Sequence, residues 1–152
     1  MPDAPLIAPP AQDVMPIDED DTSKTTVTII DVTTPEAPVI EATLTFDGNL
    51  ASSRMVANKL HLVITVTPEL PVNPTPLAIS TQTLEKWIPD YTIADSDGTT
   101  TGGDIVDWQD CYYPLNADGY GTTMVITVDV NNPSDKFESV AIVADAGTIY
   151  AS

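Results

Sequence analysis

Apolar and polar residues alternate with a period of two along several segments of the chain. Within residues 38–46, the apolar residues Ile40, Ala42, Leu44 and Phe46 occupy every second position. Successive side chains of a strand point to opposite faces, so this pattern predicts a strand with one buried face. Alternation or a run of β-branched residues predicts further strands at 25–32, 59–67, 122–130 and 137–145. In the last of these, Val140, Ile142 and Ala144 are expected on the buried face.

Turn-forming residues separate two pairs of these strands. Residues 34–38 (TPEAP) lie between the first two strands and residues 131–136 (NNPSDK) between the last two. Such residues favour tight turns, so each pair is expected to form an antiparallel hairpin. Residues 148–151 fit a last strand, and residues 80–87 fit a short helix or a strand. The pattern predicts an all-β fold, an antiparallel β-sandwich or jelly-roll-like domain.

The N-terminal segment differs from the strands in composition. Five of the first sixteen residues are Pro, and an acidic run follows at 18–21. Because Pro fixes φ and removes an amide donor, residues 1–23 are predicted to form an extended Pro-rich arm before a domain at 24–152. The arm either lies against a partner or is a tail without fixed contacts. Its apolar residues, which favour contact with a partner, are Leu6, Ile7, Val14, Met15 and Ile17.

The charge balance argues against two classes of ligand. The chain has 23 acidic and 5 basic residues, a formal net charge of -18. Nucleic-acid affinity comes from Lys and Arg contacts to phosphates, so this charge disfavours nucleic acid and anionic membranes and favours a basic protein partner. The alternative is that the charge serves solubility or reflects a saline habitat. Neither a signal peptide nor a membrane span is expected from the sequence.

The residues offer little for catalysis. His61 is the only His and falls within a predicted strand, and Cys111 is the only Cys, which excludes an intrachain disulfide. No nucleophile elbow or phosphate-binding loop accompanies them. We therefore expect a protein that is not an enzyme, with His61 exposed or paired across strands.

Carboxylates gather on a Gly-rich segment that is expected to be a loop. Asp95, Asp97, Asp104 and Asp107 provide oxygen ligands of the type that calcium prefers. The segment lacks the complete EF-hand pattern, and Asp-Gly pairs also form ordinary turns. No cofactor is expected, with calcium at these four residues as the alternative.

Aromatic residues crowd the same segment. Trp108, Tyr112, Tyr113 and Tyr120 lie within thirteen residues. Trp and Tyr anchor protein interfaces because they combine apolar area with a polar group. These four are predicted to bind a partner or to cap the open end of the core.

The Pro-rich arm at 2–17, the Thr-rich β-domain and the lack of catalytic residues together resemble the head decoration, or cement, proteins of tailed viruses of the bacteriophage type. The resemblance implies a virion structural protein, assembled in the host cytoplasm, that binds the outer shell and stabilises contacts between capsid subunits. It implies the major capsid protein or another virion protein as partner, and a homo-oligomer with a trimer favoured. The alternative function is a calcium-dependent carbohydrate-binding or adhesin-like β-sandwich module.

Overall fold

The computed structural model describes residues 23–67, 88–115, 119 and 121–144. This part of the chain is all-β, with one turn of 3₁₀ helix at Trp108–Asp110. None of its helices is long and apolar enough to cross a membrane. The strands are β1 (Lys24–Asp31), β2 (Val39–Asp47), β3 (Asn49–Val56), β4 (Lys59–Val66), β5 (Asp90–Asp95), β6 (Thr100–Asp104), β7 (Cys111–Tyr112), β8 (Thr122–Asp129) and β9 (Glu138–Val143).

The strands form two sheets. The four-stranded sheet has the order β1-β2-β5-β6, and the five-stranded sheet has the order β3-β4-β8-β9-β7. The expected hairpins β1–β2 and β8–β9 are both present and antiparallel, which confirms those predictions. The pair β7–β9 is parallel, so the five-stranded sheet is mixed rather than purely antiparallel.

One hydrophobic core draws on both sheets. Ala42, Leu44 and Phe46 of β2 are buried, as the alternation predicts, whereas Ile40 is exposed because it lies near the end of the hairpin, beyond the core. The other buried apolar residues are Leu62, Ile64, Ile93, Ile105, Val106, Met124, Ile126, Val128, Phe137 and Ala141.

Gly48 forms the corner at which the chain passes from the four-stranded to the five-stranded sheet. Its φ is +117°, a region that side chains with a Cβ rarely adopt, and a Cβ here would lie 2.9 Å from the Thr65 backbone oxygen. The Gly48 N–H donates to the Ser23 carbonyl, and the buried Thr25 hydroxyl donates to the Gly48 carbonyl at 2.8 Å. The corner therefore depends on glycine and is closed by hydrogen bonds to the start of β1.

The five strands predicted from periodicity are confirmed with shifts of one or two residues at their ends. The expectation that the Gly-rich segment, residues 95–121, is a loop is wrong in part, because β6 and β7 lie inside it. The strands β3 and β5 also have no clear alternation and were not predicted. The predicted arm, the segment at 80–87 and the strand at 148–151 fall outside the described residues.

Within β9 the predicted buried face is wrong. Ala141 is buried, whereas Val140 and Ile142 are exposed. Apolar residues lie on both faces of this strand, so a period of two defines the faces without indicating which of them meets the core. The face with the smaller side chains, which includes Ala141, packs against the core.

Candidate functional site

A groove opens where the end of β6 approaches the segment that leads into β9. Its volume is about 510 Å³, within the range of clefts that hold small ligands, roughly 300–1,000 Å³. We call it the Trp108 groove. It is lined by Ile88, Tyr91, Gly102, Gly103, Asp104, Asp107, Trp108 and Lys136.

Aromatic rings connect the Trp108 groove to the core. The Tyr91 ring meets the Phe137 ring edge to face, with centroids 4.7 Å apart. Phe137 packs in the same way on Phe46, with centroids 5.2 Å apart, and both phenylalanines are buried. Such pairs add about 0.5–1.5 kcal/mol beyond the burial of area. The groove wall at Tyr91 is therefore held by the core.

Gly102 allows β5 and β6 to approach each other at the groove. A Cβ at this position would lie 2.8 Å from the backbone oxygen of Tyr91. Glycine inside a strand often marks such a close approach of two backbones. The same residue type is depleted in strands, which is why the sequence pattern predicts a loop here.

Two carboxylates line the groove. Asp104 ends β6 and lies directly across the ladder from Asp90. Asp107 precedes the 3₁₀ turn, and its Oδ1 accepts a hydrogen bond from the Gln109 N–H at 3.1 Å. This cap fixes the backbone that carries Trp108, whose side chain is 63% exposed.

Exposed aromatic and aliphatic side chains lie beside the groove along β7. Tyr112 and Tyr113 are both more than half exposed, and Leu115 is fully exposed. The parallel register places Tyr112 opposite Ile142 of β9, so both side chains project from the outer face of the five-stranded sheet. We call Trp108, Tyr112, Tyr113, Leu115 and Ile142 the aromatic edge.

The outer face of the five-stranded sheet extends this apolar surface. Val63, Val125 and Val140 lie in one row across β4, β8 and β9, and the last two are exposed. We call these three residues the valine row. Soluble monomers rarely expose large contiguous apolar patches, and such patches mark interaction sites.

The four carboxylates predicted to bind calcium lie at opposite ends of the β5–β6 hairpin. Asp95 and Asp97 lie at its turn, where hydrogen bonds from Thr99, first from its backbone N–H at 2.7 Å, lower the pKa of Asp97. Asp104 ends β6, and Asp107 follows it. Within the described ranges no group of three or more His, Cys, Asp or Glu side chains could hold a metal ion. Calcium binding at these four residues stays a prediction.

His61 and Cys111 both have structural contacts. His61 lies opposite Thr127, with its Nδ1 3.0 Å from the Thr127 hydroxyl. This agrees with the expectation that His61 is paired across strands. Cys111 packs against the core, and its Sγ donates to the Asp107 carbonyl at 3.8 Å. Burial, followed by the charges of Asp110 and Asp107, raises the pKa of the Cys111 thiol. A raised pKa leaves the thiol protonated and weakly nucleophilic at neutral pH.

Of the residues predicted to bind a partner, Trp108, Tyr112 and Tyr113 are exposed and lie close together along the chain at the aromatic edge. The others fall outside the described residues and stay predictions. These are Leu6, Ile7, Val14, Met15, Ile17 and Tyr120.

Sequence reasoning missed several residues of these surfaces, and four of them show why. Tyr91 and Lys136 reach the groove only through the packing of β5 and the β8–β9 connection. Ile142 joins the aromatic edge through the parallel register with Tyr112. Leu115, by contrast, could have been found from its position beside the aromatic residues.

Comparison with known proteins identifies a family. The family model described as Beta propeller domain matches residues 5–152, almost the whole chain. No curated protein matches the chain significantly, and no solved structure does. The chain belongs to the beta propeller domain family.

Proposed function

We propose that this chain is a non-enzymatic structural protein of a virion, a capsid decoration or cement protein that binds the outer shell and stabilises contacts between capsid subunits. The observation that supports this most is the aromatic edge beside the valine row. Tyr and Trp are enriched in the cores of protein interfaces and supply much of their binding energy. Their exposure on the outer face of a sheet suits a docking surface.

We infer a β-sandwich architecture for the domain, because both sheets bury their side chains in one core. The chain passes between the sheets after β2, after β4 and after β6. Propeller blades, in contrast, are four-stranded sheets arranged around a central channel. Two interleaved sheets give a compact domain whose outer faces are available for binding.

The partner is proposed to present basic patches. With a formal net charge of -18, copies of the chain repel each other, whereas a basic surface of the major capsid protein or another virion protein attracts them. A trimer would need salt to screen this repulsion, or a shell that holds the copies together. Several copies on a symmetric shell gain avidity without one tight interface.

Rebinding to depleted particles tests this function. Particles of the virus that encodes the chain are stripped of the protein and incubated with purified variants, and bound protein is measured after sedimentation. The double variant Tyr112→Ser with Ile142→Ser is expected to stay in solution. Val32→Ser, which changes a similarly exposed residue just after β1 of the other sheet, is the control and should bind like the wild-type chain. Equal binding by the double variant, or particles that never contain the protein, would overturn the proposal.

A truncation tests the predicted arm separately. A chain without residues 1–17 is expected to keep the β-type circular dichroism spectrum of the full chain and to dissociate from the particles. Full retention on the particles would remove the arm from the proposal.

The Trp108 groove favours a second candidate function, a carbohydrate-binding or adhesin-like module. An exposed indole beside two carboxylates can stack on the apolar face of a sugar and accept its hydroxyl hydrogen bonds. Isothermal titration with soluble glycans, with and without calcium, tests this candidate. Heat of binding that disappears in Trp108→Ala would support it, and a calcium requirement would support the predicted calcium site.

A further inference from the structure

We propose that the Trp108 groove binds the guanidinium group of an arginine side chain on the partner protein. This inference rests on the proposed function, because it names a contact by which a basic shell surface would be held. It concerns the groove alone and is independent of the contacts made by the valine row.

The aromatic lining of the groove suits a planar cation. The Trp108 indole is largely exposed, and Tyr91 is held by its edge-to-face contact with Phe137. A guanidinium group stacks on an aromatic face through cation–π attraction and planar contact, and Trp is the best of the aromatic partners. The ammonium group of Lys has no plane to stack, so the groove should prefer Arg.

The charge around the groove suits the same ligand. Asp104 and Asp107 line it, so a cation bound in the groove would be attracted by both carboxylates. The guanidinium fork can also donate two parallel hydrogen bonds to one carboxylate, a strong and directional contact.

Among the described residues that line the groove, Lys136 is the one cation. Its positive charge repels a bound arginine and attracts an anion. A neutral sugar is little affected by the charge, although replacing Lys136 would remove a hydrogen-bond donor. Neutralising Lys136 should therefore strengthen the binding of arginine and weaken or leave unchanged the binding of the other ligands. The direction of this change in affinity distinguishes the ligand classes.

Three matched peptides test the inference on the full chain. They are acetylated and amidated Gly-Arg-Gly, its Lys analogue and its citrulline analogue, which keeps the shape of arginine without the charge. Binding is followed by the NMR shifts of the Trp108 indole N–H and of the Gly102 and Gly103 amides, with the indole signal assigned from Trp108→Phe. The Arg peptide is expected to shift these signals and to saturate below about 50 mM, as a weak single-side-chain site should. The Lys peptide should bind more weakly, and the citrulline peptide should cause no saturable shift.

Groove variants provide the controls. Lys136→Gln is expected to tighten binding of the Arg peptide several-fold. Asp104→Asn combined with Asp107→Asn should weaken it about tenfold or more, because each charge-assisted hydrogen bond contributes about 1.5–3 kcal/mol. Asn at 107 can still cap the 3₁₀ turn, so this variant should fold. Equal shifts with the citrulline peptide, or weaker Arg binding in Lys136→Gln, would overturn the inference.

Particle binding separates this inference from the proposed function. If the double Asn variant rebinds stripped particles fully while Tyr112→Ser with Ile142→Ser does not, the arginine site is wrong and the docking function stands. If the wild-type chain binds the Arg peptide in the groove but never binds particles, the arginine site stands and the docking function is wrong.

Discussion

Two polar clusters of the molecule differ in what their charged groups contact. At the end of the five-stranded sheet, the Asp129 carboxylate accepts hydrogen bonds from the Asn131 N–H, the Asn58 amide and the Lys59 ammonium group at 3.0–3.1 Å. We call these four residues the turn lock. In the Trp108 groove, carboxylates lie beside an exposed indole and surround an open volume. Charges whose partners are internal stabilise the fold, whereas charges that border an open cleft are available to a ligand.

The largest expected effect comes from removing the core ring against which Tyr91 of the groove wall packs. Phe137→Ala deletes the ring that lies between Tyr91 and Phe46, and should lower the free energy of unfolding by about 3–5 kcal/mol, as for other buried Phe residues. Urea denaturation measures this change. Phe137→Leu is the control and should cost less because it keeps most of the volume. If both variants were as stable as the wild-type chain, the groove would not be supported by the core.

A smaller effect is expected at the hairpin turn beside the turn lock. Ala57 has a φ of +52°, in the two-residue turn between Val56 and Lys59. This conformation costs a residue with a Cβ about 1–2 kcal/mol, so Ala57→Gly should raise the free energy of unfolding by about 1 kcal/mol.

The control for this substitution lies within a strand. Ala94→Gly in β5 should lower the stability by about 0.5–1 kcal/mol, since Gly gains freedom in the unfolded chain. Chemical denaturation of both variants measures the two signs. A loss of stability in both would contradict the strain assigned to Ala57.

The smallest effect is the pH dependence of the turn lock. Hydrogen bonds to Asp129, first from the Asn131 backbone and then from Lys59, lower the pKa of its carboxyl group. A lowered pKa in the folded state stabilises the protein above the unfolded pKa of about 3.9, and this contribution is lost as the pH falls through the folded value. Asp129→Asn should therefore lower Tm slightly at pH 7, and the Tm values of the two proteins should converge as the pH falls through the lowered pKa of Asp129.

Differential scanning calorimetry across this pH range checks the convergence. The same variant should bind the Arg peptide like the wild-type chain, because the turn lock does not line the groove. A constant difference in Tm from pH 7 to low pH would contradict the assignment to this carboxylate.

The sequence predicts those strands that bury one face, because apolar and polar residues then alternate along them. In β2, β4 and β8 one face is buried, so every second position of the strand carries an apolar residue. Leu44, Leu62 and Ile126 are examples. The edge strand β3 is exposed along its whole length, and no burial constrains its pattern. The strand β6 contains Gly102 because the Tyr91 backbone approaches it, and no local pattern of hydrophobic residues predicts that contact.

The candidate site is predicted only in part for a related reason. Trp108 and Tyr112 are recognisable because exposed aromatic residues cluster along the chain. The partners Tyr91, Lys136 and Ile142 come from distant parts of the chain and join through register and packing. A local pattern carries no information on which distant residues will meet.

The passage of the chain between sheets has a consequence for the order of folding. The four-stranded sheet requires both β1–β2 and β5–β6, and the five-stranded sheet requires β3–β4 and β8–β9. Pairing of β4 with β8 joins Lys59 to Asp129, seventy positions apart. Contacts of such high sequence separation slow folding, and isolated hairpins are at best marginally stable in water. During synthesis the domain should thus remain incomplete until β9 has left the ribosome, so we expect folding in one late cooperative step.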